Sequence, residues 1–341
     1  MKSELGEGGS GVRWASIILV AVTIAEKALI ALIRQKAKHA KNSVIQAGIG
    51  DDCAVLRLPK AKDVLVTTDF SLEGIHFQRN WHPPESVGHR CLTRGLSDIA
   101  AMGGDPIAAF LSLALPRDLR QSWVRGFTRG LIGLAAKYDV TLAGGDTAES
   151  PNGILADIVV VGSAPKGKSV LRSGARPGDL VYVSGELGGS AAAVLEMRKM
   201  RKVNLREYAR HFFPEPRVRL GRILREETLV SAMIDTSDGL STDLAHICEE
   251  SGVGAEIEEE LIPLANVGKP GREVDLQLAL HGGEDYELLF AASRSKRVPS
   301  RIAGVSITCI GRITRGRKIF LTNRNNVRRE LKPHGWEHFR K

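Results

Sequence analysis

Acidic residues recur along this chain in short runs with glycine or other small residues. None of the runs has Lys or Arg directly beside its acid. They are Gly50-Asp51-Asp52, Thr67-Thr68-Asp69, Leu96-Ser97-Asp98, Gly144-Gly145-Asp146-Thr147, Asp235-Thr236-Ser237-Asp238-Gly239 and Gly282-Gly283-Glu284-Asp285-Tyr286. Carboxylates packed together resist joint ionisation, so a cluster of them needs compensating charge. A hard divalent cation supplies it. Mg²⁺ takes oxygen ligands, often one or two carboxylates together with phosphate oxygens. The pattern therefore points to a magnesium–nucleotide site assembled from many loops. Asp and Gly also favour turns for purely local reasons, and any single run can be read that way. Six runs, three of them with Gly-Gly or Asp-Gly, favour the site.

Those acids must be held by regular elements. Val64–Thr68 reads as a strand that delivers Asp69 at its end. Between Glu85 and Met102, the apolar residues Val87, Cys91, Ile99 and Met102 recur on a helical face, which puts Ser97-Asp98 in or near a helix. Trp123, Phe127, Leu131 and Leu134 repeat the pattern over Gln121–Lys137. Val140–Leu142 reads as a short strand ending at Gly144-Gly145-Asp146, and Ile158–Gly162 as a buried strand. The stretch from Gly162 to Asp179 is rich in Gly, Pro, Ser and Lys, which places the domain boundary there. The halves are 1–165 and 166–341. In the second half, Leu180–Val183, Tyr286–Ala292 and Val305–Ile313 read as strands. Ser190–Met200, Pro216–Glu226 and Leu240–Glu250 read as helices, the last opened by Asp238-Gly239. Alternation of strands and helices in both halves gives an α/β or α+β class.

One motif is set aside. Gly162 to Ser169 (GSAPKGKS) matches the phosphate-binding P-loop and follows a strand. That loop works only if a helix starts at its Lys-Ser. Here Gly174, Pro177 and Gly178 forbid a helix of useful length, so the segment reads as an interdomain loop.

The chain has 341 residues, 43% of them hydrophobic, which suits two globular domains. Its net charge of +9 is spread widely, with clusters at Arg198–Arg206, Arg217–Arg225 and Arg312–Lys318. Aromatics are only 5%, too few for a single-strand stacking platform. The charge reads as solvated faces that attract anionic nucleotides, not nucleic acid. The four cysteines form no CxxC pair, which fits a reducing cytoplasm. The apolar run Trp14–Ala25 is shorter than the roughly 20 residues a bilayer needs, and no basic segment precedes it. It reads as a helix or buried strand, with no membrane partner.

Taken together, the motifs resemble the thiamine-monophosphate kinases, within the superfamily named for aminoimidazole ribonucleotide synthetase. The text that carries this is GIGDDCAV (Gly48–Val55), TTDFSLEGIHF (Thr67–Phe77), LSDIAAMG (Leu96–Gly103), GGDT (Gly144–Thr147), RSGARPGD (Arg172–Asp179), DTSDGLSTDL (Asp235–Leu244), GGEDYEL (Gly282–Leu288) and GWEHF (Gly335–Phe339). The blocks stand in the family's order over Gly48 to Phe339. Each alone is weak; jointly they are specific.

The resemblance implies the two-domain aminoimidazole ribonucleotide synthetase-like fold, an N-terminal mixed sheet with helices followed by a C-terminal α/β domain. It implies transfer of the γ-phosphate of ATP onto thiamine monophosphate, with Mg²⁺, in a cytoplasmic homodimer joined through the N-terminal sheets. By the same resemblance, Asp52, Thr67, Thr68, Asp69, Asp98, Asp146, Asp235 and Asp238 are the magnesium-binding set, with Asp98, Asp146 and Asp238 central to catalysis. Gly145, Asp146, Arg172 and Ser237 match nucleotide contacts, and His76, Glu284 and Trp336 match thiamine-phosphate contacts. Residue chemistry agrees: joining two phosphorylated molecules brings negative charges together, and metal ions and Arg neutralise them. An aromatic face such as Trp336, or an acid such as Glu284, suits the cationic thiazolium. His76 and Trp336 also fit ordinary packing, and Asp51 and Asp285 fit structural roles.

Three departures stand out. Arg94-Gly95 replaces an apolar residue and Asn before Leu-Ser-Asp. Ser71 replaces an apolar residue after Thr-Asp. A stretch of about 18 residues looks inserted after Leu5-Gly6-Glu7. Rival readings are another ATP-using enzyme of the superfamily, such as a selenophosphate synthetase or a hydrogenase-maturation dehydratase, a non-catalytic nucleotide-binding regulator, and a nucleic-acid binder. The first Cys, Cys53, lies inside the metal-turn motif and argues against a selenophosphate synthetase.

Overall fold

The computed structural model describes residues 32–33, 35–36, 44–47, 55–199, 203–268 and 271–335. The run Trp14–Ala25 and the stretch that looks inserted lie outside them.

A small ribbon pairs β1 (Ile45–Ala47) with β2 (Val55–Leu56). Next comes a four-stranded sheet, β3 (Lys62–Leu72), β4 (Asp105–Pro116), β5 (Thr141–Ser150) and β6 (Leu155–Pro165), ordered β3-β6-β4-β5. β3 runs antiparallel to β6 over its whole length, from Lys62 opposite Pro165 to Leu72 opposite Leu155. Asp69 therefore lies inside the strand rather than at its end. Likewise Gly144-Gly145-Asp146 continues β5 instead of closing it. Ladder bonds to the neighbouring strands outweigh the local turn preference of Gly and Asp. Asp105–Pro116, which the residue pattern above leaves unassigned, is the strand between β5 and β6.

Two helices cover one face of this sheet. Helix α1 (Pro84–Ala101) starts with Pro in its first turn, where the missing N–H costs nothing. Its Val87, Cys91, Leu92, Leu96 and Ile99 are buried. Helix α2 (Gln121–Lys137) packs against it. The two backbones meet closely at Gly88, where a Cβ would stand 1.9 Å from the Phe127 carbonyl oxygen.

The second half contains β7 (Leu180–Ser184), α3 (Gly189–Arg198), α4 (Ala209–Phe212), α5 (Val218–Glu226), β8 (Ala232–Asp235), α6 (Leu240–Ser251) and β9 (Gly254–Glu258). A short ribbon of β10 (Asn266–Val267) and β11 (Arg272–Glu273) follows, then α7 (Leu276–His281) and β12 (Leu288–Ala292). The last strands are β13 (Arg301–Ile302), β14 (Val305–Thr314), β15 (Ile319–Thr322) and β16 (Arg328–Glu330). They form an eight-stranded mixed sheet ordered β16-β15-β9-β14-β7-β12-β8, with β13 on β14 and one parallel pair, β15 with β9. No helix follows the GSAPKGKS segment before α3, so it is not a P-loop.

One core spans both halves: Leu92, Leu96, Ile99 and Val160 share a cluster with Met233, Leu288 and Phe290. Helix α1 is thus packed between the small sheet and the β8 edge of the large one. That placement builds the site. Among the described residues, no helix is long and apolar enough to cross a membrane.

Candidate functional site

A strand presents alternate residues to opposite faces. Thr67 Oγ1 on β3 donates to Asp98 Oδ2 on the last turn of α1. The preceding helix residue, Ser97, is fully buried. It donates 2.6 Å from its Oγ to Oδ2 of Asp235, at the end of β8 in the other half of the chain. Three elements thus bring Asp69, Asp98 and Asp235 into one electrostatic unit. Burial first, then the Asp98 charge, pushes Asp69 up to about 7. Asp235 rises to about 8 for the same two reasons, burial and then Asp98, with a further push from Asp69. Burial also raises Asp98, while Thr67, Asp69 and Arg172 counter it. Asp69 is the member of the pair that holds the proton, and Asp98 accepts. The Arg172 charge reaches both Asp98 and Asp235.

A second row lies on the opposite face. Thr68 Oγ1 donates 2.7 Å to Asp157 Oδ1 on β6. Asp157 stands opposite Phe70 on one side and Ser112 on the other, and Ser112 stands opposite Asp146. Directly opposed residues share a face. The side chains of Thr67 and Thr68, neighbours in sequence, therefore serve different faces, and Asp146 lies with Thr68. Asp146 is exposed and accepts a 2.8 Å hydrogen bond from the Thr147 amide on Oδ1. Its neighbour Gly145 has φ 151°, and a Cβ there would stand 1.9 Å from the Leu111 carbonyl oxygen, so only glycine fits. Asp157 adds to the upward push on Asp69, so the two rows feel each other. Sequence reasoning missed Asp157. Its only signal was a lone acid in the otherwise apolar strand Leu155–Pro165.

The two acidic motifs of the second half meet through their backbones. The Glu284 amide donates 2.8 Å to the Ser237 carbonyl, and the Tyr286 amide 3.0 Å to that of Thr236. Asp238 follows Ser237 in this loop and faces the buried Asp243, whose Oδ2 accepts from the Gly239 amide at 3.0 Å. Asp285 accepts from the amides of Gly188 at 2.6 Å and Ser190 at 3.1 Å, which fixes the start of α3. Glu284 has φ 67° and is gripped by two arginines of α1. Arg90 Nη2 lies 2.6 Å from Oε2, and Arg94 Nη2 pairs with Oε1. Burial alone would raise the Glu284 carboxyl, but Arg90 and then Arg94 hold it well below the usual carboxylate range. Neither arginine was singled out as a site residue.

The remaining expected residues are more scattered. His76 sits in the turn after β3, where its Nδ1 accepts from the Leu72 amide at 2.9 Å. Asp52 and Trp336 lie outside the described residues. Gly335 docks beside the Asp235–Gly239 loop, its amide 3.0 Å from Thr242 Oγ1.

Among the described residues, no group of three or more His, Cys, Asp or Glu already stands together so as to hold a metal ion. The chemistry of the acids nonetheless fits one. Asp69 and Asp235 are pushed towards neutrality by burial and mutual repulsion, which a hard cation among carboxylate oxygens would relieve.

Comparisons with known proteins agree with this architecture. Residues 50–164 match the AIR synthase related protein N-terminal domain, and residues 176–322 match its C-terminal domain. The chain is 39% identical over 281 residues to the thiamine-monophosphate kinase of Escherichia coli, covering 79% of this chain and 85% of that one. It is 34% identical over 312 residues to the thiamine-monophosphate kinase of Bacillus subtilis, covering 88% and 95%. Among solved structures, the thiamine-monophosphate kinase of Stenotrophomonas maltophilia superposes with TM-score 0.75 at 33% identity, over 88% of this chain and 97% of that one. AaThiL complexed with AMPPCP and TMP superposes with TM-score 0.73 at 34% identity, over 92% and 97%. The hydrogenase maturation protein HypE, at 17% identity and TM-score 0.71, over 91% of this chain and 95% of that one, shares the fold. With both domains matched in order and relatives this similar along most of its length, the chain belongs to the thiamine-monophosphate kinase family.

Proposed function

We propose that this protein transfers the γ-phosphoryl group of ATP to the phosphate of thiamine monophosphate, giving thiamine diphosphate and ADP. The observation that carries this is the meeting of Asp69, Asp98 and Asp235, from three elements and both halves, under the Arg172 charge. It is supported by a relative solved with AMPPCP and TMP.

Magnesium would be held by Asp69, Asp98 and Asp235 on the inner face, with Asp52, Thr67, Thr68, Asp146 and Asp238 completing the set. Bound there, it would neutralise phosphate charge and polarise the transferred group. The protein's own residues do the rest. Gly145 brings the β5 backbone close to a ligand, Ser237 offers a loop hydroxyl, and Arg172 supplies a mobile positive charge for the phosphates. An oxygen of the acceptor phosphate attacks the γ-phosphorus in line, and the bond from that phosphorus to the ADP oxygen breaks. The acceptor phosphate is anionic at neutral pH, so no general base is needed. His76, Glu284 and Trp336 are assigned to the thiamine moiety.

A homodimer is supported by the face of β3. Val64, Val66 and Phe70 point outward from this edge strand, 50%, 65% and 55% exposed. An apolar edge of this kind needs a cover, and a second copy provides it. The described cysteines, Cys91, Cys248 and Cys309, are free, consistent with a reducing cytoplasm.

The test is ADP release with thiamine monophosphate, with thiamine, and with no acceptor, each with and without Mg²⁺. Release that requires both thiamine monophosphate and Mg²⁺ supports the reading. Release indifferent to the acceptor, or none in any arm, overturns it.

A further inference from the structure

The two arginines that hold Glu284 are not equivalent. Arg90 is saturated and shut in: its side chain is 3% exposed, Nη2 is spent on Glu284, and Nη1 donates to the His211 carbonyl at 2.5 Å. Arg94, one turn later, spends Nη2 on the same carboxylate, yet its Nε–H is buried without an acceptor. Its side chain keeps 13% of its surface open. The Tyr286 hydroxyl, whose titration Arg94 influences, is also buried without a partner. Two guanidiniums on one carboxylate leave a surplus positive charge. A buried donor with no acceptor costs about 1–3 kcal/mol, so the arrangement is incomplete as it stands.

Its position says what is missing. Arg94 lies between the Glu284 loop and the inner acids, since its charge acts on Glu284, Asp69 and Asp98 alike. An acceptor that reaches from Glu284 to the reacting centre passes it. The neighbouring position cannot offer a donor, because a Cβ on Gly95 would stand 2.5 Å from Val160 Cγ2. The environment is adapted to Arg94 as well: Cys91, which senses its charge, is hydrogen-bonded to Ser71. Two of the three departures from the family pattern, Ser71 and Arg94, thus meet at one place.

We propose that Arg94 is a specificity-determining residue that donates to the phosphate of the acceptor, so that the site selects a phosphorylated thiazolium compound over its free alcohol. This rests on the reading that thiamine monophosphate is the acceptor. An anionic oxygen completes the guanidinium's bonding and balances the surplus charge. The pairing with Glu284 fixes the plane of the guanidinium, so little freedom remains to be lost on binding.

The experiment is calorimetric titration of thiamine monophosphate and of thiamine into the full-length enzyme loaded with Mg²⁺ and a non-hydrolysable ATP analogue. Wild type is compared with Arg94→Val and Arg94→Lys. Loss of a charge-assisted bond should weaken thiamine monophosphate by roughly tenfold to a hundredfold in Arg94→Val, leave thiamine unchanged, and be partly restored in Arg94→Lys. Equal weakening of both ligands would make Arg94 only a brace for Glu284 and overturn the proposal. So would unchanged affinity for thiamine monophosphate. If Arg94→Val does not fold, as judged by its affinity for the ATP analogue, Arg94→Gln and Arg94→Lys give the same comparison. A wild-type enzyme that binds neither acceptor overturns the functional reading itself. One that transfers to thiamine monophosphate but tolerates Arg94→Val overturns this inference alone.

Discussion

Ser97 Oγ lies 2.6 Å from Asp235 Oδ2, joining a helix of the first half to a strand of the second across 138 positions of sequence. Both side chains are buried, so the bond has no water to replace it. Ser97→Ala should lower stability by about 1–3 kcal/mol, the cost of a buried polar group left short of a partner. It should also weaken nucleotide binding, because Asp235 loses its orientation. Denaturant midpoints and titration of an ATP analogue check this. Wild-type values in both would show that the bond positions nothing.

Asp146→Asn should keep the fold, since the side chain is exposed and bonds only to the next amide. Turnover should fall roughly a thousandfold, the usual scale for one lost electrostatic contact at a transferring phosphoryl group. Near-normal turnover in the folded variant would remove Asp146 from the metal set and leave the inner acids to do the chemistry.

Stability should fall as acid is added, through a histidine pair between the halves. His82 Nε2 lies 2.9 Å from His211 Nε2, and both rings are buried. Burial and then the Arg90 charge push His82 down to about 4 and His211 well below its ordinary value. The folded state therefore binds fewer protons than the unfolded chain between about pH 6.5 and pH 4. The stability this implies is fully present above that window and is lost as pH falls through it. A shift of this size for His82 corresponds to about 3 kcal/mol. His82→Gln should flatten the dependence of the unfolding midpoint on pH. An unchanged slope would mean that other groups dominate acid unfolding.

Lys168→Ala should be mild. Lys168 is exposed in the turn after β6, and no helix follows to form a phosphate cradle. A surface change of this kind is worth about 0.5 kcal/mol or less, so kcat should stay within roughly threefold. A collapse of ATP turnover in folded protein would show that the lysine meets a phosphate after all.

Val66→Asp probes the outer face of β3. Val66 is 65% exposed beside Val64 and Phe70. A charge there should split a homodimer into monomers without unfolding either domain, as read by sedimentation against concentration. A dimer that survives the substitution would place the interface elsewhere.

Much of this protein is local, and its sequence alone determined that much. The helical period placed Pro84–Ala101 and Gln121–Lys137 almost to the residue. The glycine- and proline-rich stretch marked where one sheet ends, at Pro165, and the next begins, at Leu180. The lack of a helix after the P-loop match followed from Gly174, Pro177 and Gly178. These features depend on a residue and its near neighbours, which propensity and periodicity capture.

What only the tertiary structure decided is which side chains meet. Asp69 and Asp146 read as turn residues, yet both lie inside strands, because inter-strand bonds override local preference. Strand pleating then sends Thr67 and Thr68 to opposite faces, a split no spacing rule applied to a single motif reveals. Asp157 joins the outer row only because β6 pairs with both β3 and β4. Glu284 reads as an acid free to meet a thiazolium, but the fold brings it to Arg90 and Arg94, 194 and 190 positions away. The acid types and their order are fixed by the chain. Which acid finds a base, and which is left for a cation, is settled only when α1 is packed between the two sheets.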